Sequence, residues 1–334
     1  MTEHDQLATV AALAITGLAM PPIMALLRRL QVIDRPNHRS SHTEPVIRGG
    51  GIAVGLGAIV GLAVSRDLNG ADRVGIAVAA ILFAAIGLVD DVRGAGPIAR
   101  LSLQAITAAV ASQFLLHGLG GGITLRAACG AIVVFWLVGY VNAYNFMDGI
   151  NGIAAAQALV AGATWSVVAT WRGIPAVAIG GALLAAAALG FLPFNFPVAR
   201  AFLGDVGSYF LGAWLAALSV IALRAGLPFE AVMAPLSLFV ADTATTLALR
   251  VTRREPWYEA HRDHAYQRLI RLGWSHVRTT AVVSGLMIIC ALLGAVSLTG
   301  AIVARTGADI SLALVLGTYV VGPRAIARRH SMVA

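Results

Sequence analysis

Three polar cassettes hold the residue types that can do chemistry in this chain. They are Asp90 and Asp91 closing IGLVDD, Asn142, Asn145 and Asp148 within NAYNFMDGIN, and Asp205 in FLGDVGS. Adjacent carboxylates on a helix end point about 100° apart, so one can bind a cation while the other takes a proton. Like charges this close also raise one pKa, which suits a general base. A helix C-terminus disfavours negative charge, so two acids there need a reason beyond stopping the helix. Amides offer both donor and acceptor edges, as a nucleobase or sugar requires. Spaced three apart, Asn142, Asn145 and Asp148 share one face if the helix continues. The plainer reading of that run is turn chemistry, since Asn, Asp and Gly all form turns. Asp205 and Ser208 stand where an apolar segment begins. Free N–H groups there favour anions, and a carboxylate beside them can hold Mg2+ against a diphosphate, or simply cap the helix.

Two basic segments add donors. HRDHAYQRLIRLG places His261 and His264 three apart with Arg262, Arg268 and Arg271 nearby. That spacing suits zinc, but no third ligand accompanies it, so phosphate oxygens are the better target. The competing reading is an amphipathic helix lying on a bilayer. Upstream, Arg35, His38, Arg39, His42 and Arg48 are donors suited to phosphate, and Gly49 to Gly51 allow close backbone approach. Asp242 lies inside an apolar run, where a charge is a functional candidate by default.

The elements that position these groups are membrane spans. The chain has 334 residues, 58% hydrophobic and 12% charged, with a mean hydropathy of +0.81. A soluble protein of this size needs a far more polar surface. About 20 apolar residues cross roughly 30 Å of hydrocarbon. Eleven candidate spans lie near 7–27, 50–65, 74–89, 101–117, 127–141, 153–171, 174–192, 206–223, 229–249, 280–299 and 308–323. Their continuous apolar runs predict an all-α polytopic membrane protein of about eleven helices (ten on a stricter count), in one domain over 1–334, rather than a barrel. The first apolar segment follows Glu3 and Asp5 and precedes Arg28 and Arg29, so it reads as a retained span with its N-terminus outside. The alternation then puts 18 of the 24 arginines, and every polar cassette, in inside loops. Every basic residue is arginine, which reads as composition bias, and a net charge of +8 among spans reflects topology and anionic ligands rather than nucleic acid. Cys129 and Cys290 read as packing residues.

Together the cassettes resemble the polyprenyl-phosphate N-acetylhexosamine-1-phosphate transferases of glycosyltransferase family 4. The resemblance rests on DRPNxRxxHxxPxxRGGGI at 34–52, DD at 90–91, NxxNFMDGxxG at 142–152, GDxGS at 204–208 and HRxHxYQRL at 261–269. It implies a bacterial inner-membrane enzyme, multi-pass with cytoplasmic active-site loops, a homodimer being one compatible assembly. Such an enzyme moves a sugar-1-phosphate from a UDP-N-acetylhexosamine to undecaprenyl phosphate and releases UMP, the first membrane step of a cell-surface glycan. By the same resemblance Asp90 and Asp91 supply the base or orient the lipid phosphate, and Asp205, with Asp90 and Asp148, holds Mg2+ (Mn2+ as a substitute). Asn142, Asn145 and Asp148 belong to the nucleotide cassette, and His261, His264, Arg48 and Arg262 contact the substrate. Two departures stand out. Asn151 occupies a position where many members carry Asp, and the 261–269 segment lacks the triple histidine of the peptidoglycan precursor enzymes. That points to the O-antigen and N-acetylglucosamine branch, with phospho-N-acetylmuramoyl-pentapeptide transfer as the alternative. A transporter or flippase of anionic lipid-linked substrates is the rival from another class, but it should place its charges at the midplane and show repeat symmetry.

Overall fold

The computed structural model describes residues 1–36, 44–94, 96–255 and 262–333. Among them, ten helices are long and apolar enough to cross a membrane. The first helices are α1 (Glu3–Arg29), the short α2 (Gly51–Val64), α3 (Gly70–Arg93), α4 (Pro97–Leu115) and α5 (Ile123–Met147). They are followed by α6 (Ile153–Trp171), α7 (Pro175–Asn195) and α8 (Gly204–Arg224). Large apolar side chains such as Leu18, Ile98 and Phe135 are at least 77% exposed on the bundle's surface, as a lipid-facing exterior requires.

Each of the eleven apolar runs becomes a helical pass, with two differences from the sequence reading. At 14 residues, α2 is about 21 Å long, short of a full bilayer. It still joins the two faces: the backbone N–H of Arg66, just past its end, donates to Asp5 at the start of α1 over 2.9 Å. The ninth run is broken into α9 (Phe229–Met233), a 3-10 turn at Ala234–Leu236 and α10 (Ser237–Thr252). Pro235 sits in that turn, where its missing N–H interrupts the helical ladder. Beyond it come the seven-residue α11 (Ala265–Arg271), α12 (His276–Ala295) and α13 (Ile302–Val333).

Polar contacts mark the two ends of the bundle. At one end Arg224, closing α8, pairs with Asp72 in the first turn of α3. At the other end the loops after α1 and α7 meet in a small sheet, a feature not expected in an all-helical reading. Strand β2 (Val46–Arg48) pairs antiparallel with β1 (Ile33–Asp34) and parallel with β3 (Ala201–Phe202). The sheet's order is β1-β2-β3, and it sets Arg48 next to the start of α8. Helix α8 is the bundle's centre, with nearly every residue from Val206 to Ser219 buried. A polar group at its first turn is therefore held by the surrounding protein on every side but the cavity it lines.

Candidate active site

The first turn of α8 has orphan N–H groups, and no side chain of its own caps them. The cap comes from α3. Asp91 accepts the backbone N–H of Asp205 at 3.1 Å and of Val206 at 3.0 Å. Its side chain is 1% exposed. This supplies the reason for acids at the end of α3: one of them serves the N-terminus of another helix, where the dipole favours a carboxylate. It also corrects the reading of Asp205 as its own helix's cap. The approach needs glycine at two points. A Cβ on Gly87 would lie 2.3 Å from the carbonyl oxygen of Asp205, and Gly204 has φ +74° with Asp91 against it.

Asp205 is freed for other partners. Arg48 bridges the two acids, its Nε 2.7 Å from Asp91 Oδ1 and its Nη2 2.8 Å from Asp205 Oδ1. Asn145 Nδ2 donates to Asp205 Oδ1 at 3.1 Å and to Ser208 Oγ at 2.9 Å. The two carboxylates raise the pKa of Arg48 against the opposing pull of burial. Asp90 turns the other way, to Arg100 Nη1 at 2.6 Å in the first turn of α4. It stays within hydrogen-bonding reach of Asp205.

These groups open onto a cavity of about 230 Å3 lined by Arg48, Asn145, Asp148, Asn151 and Asp205 together with Asp34, Asn195 and Phe202. Asp148 caps α5 just past its last helical residue. Burial, then repulsion from Asp205 and Asp91, push its carboxyl up to about 7, against the opposing pull of Arg48. Asn195 holds the cavity's floor: its Oδ1 accepts the Gly152 N–H at 2.7 Å and its Nδ2 donates to the Ala201 carbonyl at 2.9 Å. Sequence reasoning missed Asn195, Asp34 and Arg100. The available signals were an amide ending α7, an acid opening the first inside loop, and a cation in the first turn of α4.

Other expected residues fall elsewhere. Asn142 does not share the face of Asn145 and Asp148. Its Nδ2 donates to Gln104 at 2.6 Å and to the Val138 carbonyl at 2.8 Å, toward α4. Three residues turn a helix by about 300°, so each step drifts 60° around the axis. His264 is also corrected as a substrate contact. It is 2% exposed, with Nδ1 3.2 Å from Asp242 Oδ1 inside the protein. Arg262 is not among the residues lining the cavity. His261 lies outside the described residues, as do His38, Arg39 and His42. Gly49, Gly50 and Gly51 approach protein backbone: their N–H groups donate to the carbonyls of Phe202 and Leu203.

Asp242 is satisfied from four directions. It accepts the Ala265 N–H at 3.0 Å on each oxygen, Tyr319 Oη at 2.9 Å and Thr246 Oγ1 at 3.2 Å, besides its contact with His264. This anchors α11, whose Tyr266 hydroxyl donates to the Phe146 carbonyl at 3.0 Å, two residues from Asp148.

Among the described residues, no three of His, Cys, Asp and Glu converge as a self-sufficient metal set. Mg2+ seldom needs one, because it takes one or two carboxylates and completes its shell with water and phosphate oxygens. Asp205 and Asp148, both lining the cavity beside the Asn145 amide, fit that donor chemistry.

A helical bundle with an apolar exterior, whose carboxylates, amides and arginines converge on one cavity at the ends of its spans, defines a polytopic membrane protein with a polar site at one face. Comparison with known proteins makes the class specific. Residues 73–223, from α3 to the end of α8, match glycosyl transferase family 4. A probable undecaprenyl-phosphate N-acetylglucosaminyl 1-phosphate transferase of Bacillus subtilis is 26% identical over 85% of this chain and 83% of its own length. A decaprenyl-phosphate N-acetylglucosaminephosphotransferase of Mycobacterium tuberculosis is 29% identical over 82% and 78%. A phospho-N-acetylmuramoyl-pentapeptide-transferase of Streptococcus equi subsp. zooepidemicus is 30% identical over 65% of this chain and 72% of the relative. The chain belongs to glycosyl transferase family 4 and is a multi-pass membrane protein.

Proposed function

We propose that the protein transfers an N-acetylhexosamine-type sugar-1-phosphate from a UDP-sugar to undecaprenyl phosphate. The products are undecaprenyl-diphosphate-sugar and UMP. The observation that carries this reading is Arg48 bridging Asp91 and Asp205 at the first turn of the buried α8, open to a polar cavity at the ends of the spans. The transferase names of the relatives support the reaction class, and the arginine excess in the loops of that face supports a cytoplasmic site in the inner membrane.

Phosphoryl transfer needs positioning and charge neutralisation more than covalent help from the protein. Asp205 and Asp148 would hold Mg2+, which supplies neutralisation of the diphosphate's charge. Arg48 and Asn145 both donate to Asp205 Oδ1 and so orient its carboxylate. Asn151 and Asp34 offer an amide and a carboxylate to the nucleotide end of the donor. The lipid has its own approach. An apolar cavity of about 200 Å3 between α4, α5 and α10 is lined by Leu101, Val138, Phe146 and Leu247, with Arg100 on its wall. Arg100 is also the partner of Asp90, so a phosphate brought along this cavity arrives beside the acidic site. It attacks as an oxyanion already ionised near neutral pH, which leaves Asp90 and Asp91 positioning roles rather than an obligatory base.

The test is UMP release by purified protein with undecaprenyl phosphate, Mg2+ and a panel of UDP-amino sugars. Release requiring both lipid and metal, with UDP-N-acetylglucosamine or a deoxy relative as best donor, is expected. A best rate with UDP-N-acetylmuramoyl-pentapeptide would move the protein to the other branch represented among its relatives. No lipid-dependent release from folded protein across the panel would overturn the reading.

A further inference from the structure

On the site's side of the membrane, α11, α12 and α13 enclose a further cavity, which shares no lining residue with the donor site. It measures about 460 Å3, and its lining includes Leu269, Trp274, Leu286, Leu314, Tyr319 and Ile326. Leu314 is 66% exposed, so the groove opens on the bundle's exterior, where the solvent is lipid. A groove of this kind in a membrane-spanning bundle takes a hydrocarbon chain, and its polar edge decides what heads that chain.

The edge is basic. The Arg278 guanidinium lies over the ring of Trp274, 3.9 Å from its centroid. Arg278 is in the first turn of α12, at the positive end of that helix's dipole. Arg271 is half-exposed, with its nearest carboxylate, Asp263, at 3.8 Å. The same Asp263 also serves Arg250 and Arg268, each at 3.2 Å. Arg324 follows the groove-lining Pro323, and its Nη1 donates to the Val320 carbonyl at 3.2 Å. Burial and the field of Arg271, Arg324 and Arg253 together lower the pKa of Arg268 in spite of Asp263. Among the described residues, Arg250, Arg268, Arg271, Arg278 and Arg324 outnumber the two carboxylates beside them, Asp263 and Glu255, at the depth where tryptophan marks a membrane interface.

We propose that this groove is a binding site for an anionic phospholipid, its acyl chain along α12 and α13 and its phosphate against Arg271, Arg278 and Arg324. Apolar burial holds the chain, and the arginines select the headgroup, each contributing about a five-fold preference for an anionic lipid at a membrane surface. Tyr319 belongs to both the groove and the Asp242 cluster, so the lipid lies against the anchor of α11. The proposal does not depend on the transferase reading.

The full-length protein in detergent would be titrated with dioleoyl phosphatidylglycerol and with dioleoyl phosphatidylcholine, reading bound lipid by native mass spectrometry and the melting temperature in parallel. The anionic lipid is expected to give the more abundant adduct and the larger rise in melting temperature. The double variant Arg271→Gln, Arg278→Gln is expected to lose about 25-fold of that preference while its zwitterionic adduct is unchanged. Gly322 lines the groove, and a Cβ there would meet nothing within 4 Å. Gly322→Leu therefore starts its side chain from a Cβ that meets no atom, and should occupy the groove and remove the adduct while both arginines and the fold remain. Excess glycerol 3-phosphate, a headgroup without chains, should not displace the lipid. Equal binding of the two lipids, undiminished preference in the arginine variant, an intact adduct in Gly322→Leu, or displacement by glycerol 3-phosphate would each overturn the proposal.

Discussion

Gly149 follows Asp148 in the donor cavity, and its neighbour explains why no larger residue is there. Its φ is not in the left-handed region, so conformation does not demand glycine. Space does: a Cβ would lie 2.1 Å from Tyr266 Oη, 3.0 Å from Cζ and 3.2 Å from Cε2. Gly149→Ala must push either the tyrosine off the Phe146 carbonyl or the 148–149 turn into the cavity. Overpacking of this sort costs about 1–3 kcal/mol. Tyr266→Phe removes the offending oxygen and one hydrogen bond, for about 1–2 kcal/mol. The double variant meets only the ring carbons, Cζ at 3.0 Å and Cε2 at 3.2 Å, so its loss should fall short of the sum by about 1–2 kcal/mol. Activity should follow the same pattern more steeply. A displacement of Asp148 by a fraction of an ångström costs on the order of 10-fold to 100-fold in UMP release, and Tyr266→Phe should restore part of it on the alanine background. Denaturant unfolding in detergent, monitored by circular dichroism, gives the coupling energy, and the UMP assay gives the rate. Strictly additive stabilities, with no recovery of rate in the double variant, would refute the idea that Tyr266 sets the position of Asp148.

Asp90→Asn and Asp91→Asn should separate cleanly. Asp91 caps α8 with both oxygens and is 1% exposed, so its amide variant should lose about 1–3 kcal/mol of stability as well as activity. Asp90→Asn, which weakens the bond to Arg100, should lose less stability than Asp91→Asn and mainly rate, and equal, mild losses in both would show that the pair is merely solvated. Asp205→Asn should fold normally and lose at least about 100-fold in UMP release; near-parental turnover would remove Asp205 from the metal. Asp148 titrates at about 7 in the folded protein against an ordinary 3.8. The folded state therefore keeps a proton that the unfolded chain has released, and metal-free protein should lose stability as pH rises from about 4 to about 7. Asp148→Asn should reduce that slope, most of all at its upper end near pH 7, and an unchanged slope would place the titration elsewhere.

The spans were legible because a bilayer imposes a long, continuous apolar run, a signal that survives uncertainty at every boundary; the run read at 153–171 is α6 residue for residue. The gathering of polar groups at one face followed from alternation alone. The sheet was not legible, since strands of two and three residues carry no period to detect. Orientation within a helix was lost for a different reason. Asn142 and Asn145 look alike in sequence, yet one faces Gln104 and the other Asp205, because the packing of α5 between α4 and α8 decides which amide meets the cavity. Asp91 shows most fully what sequence withholds. Adjacent acids invite a division of labour between base and metal ligand, but the carboxylate's first task depends on the N-terminus of a helix more than a hundred residues away. Asp242 repeats the lesson inside a span. A charge there invites a functional reading, but its oxygens are taken up by α11 and Tyr319. The cost of burying it is offset by hydrogen bonds that fix the segment beside the cavity. Asp242→Asn tests that account. The amide's one oxygen can take the Oδ2 position, with the Ala265 N–H and Tyr319, but its nitrogen then faces the Ala265 N–H and the Thr246 hydroxyl that Oδ1 accepts, so the melting temperature should fall with an expected loss of about 1–3 kcal/mol. A variant as stable as the parent would return Asp242 to the list of groups whose charge serves the reaction itself.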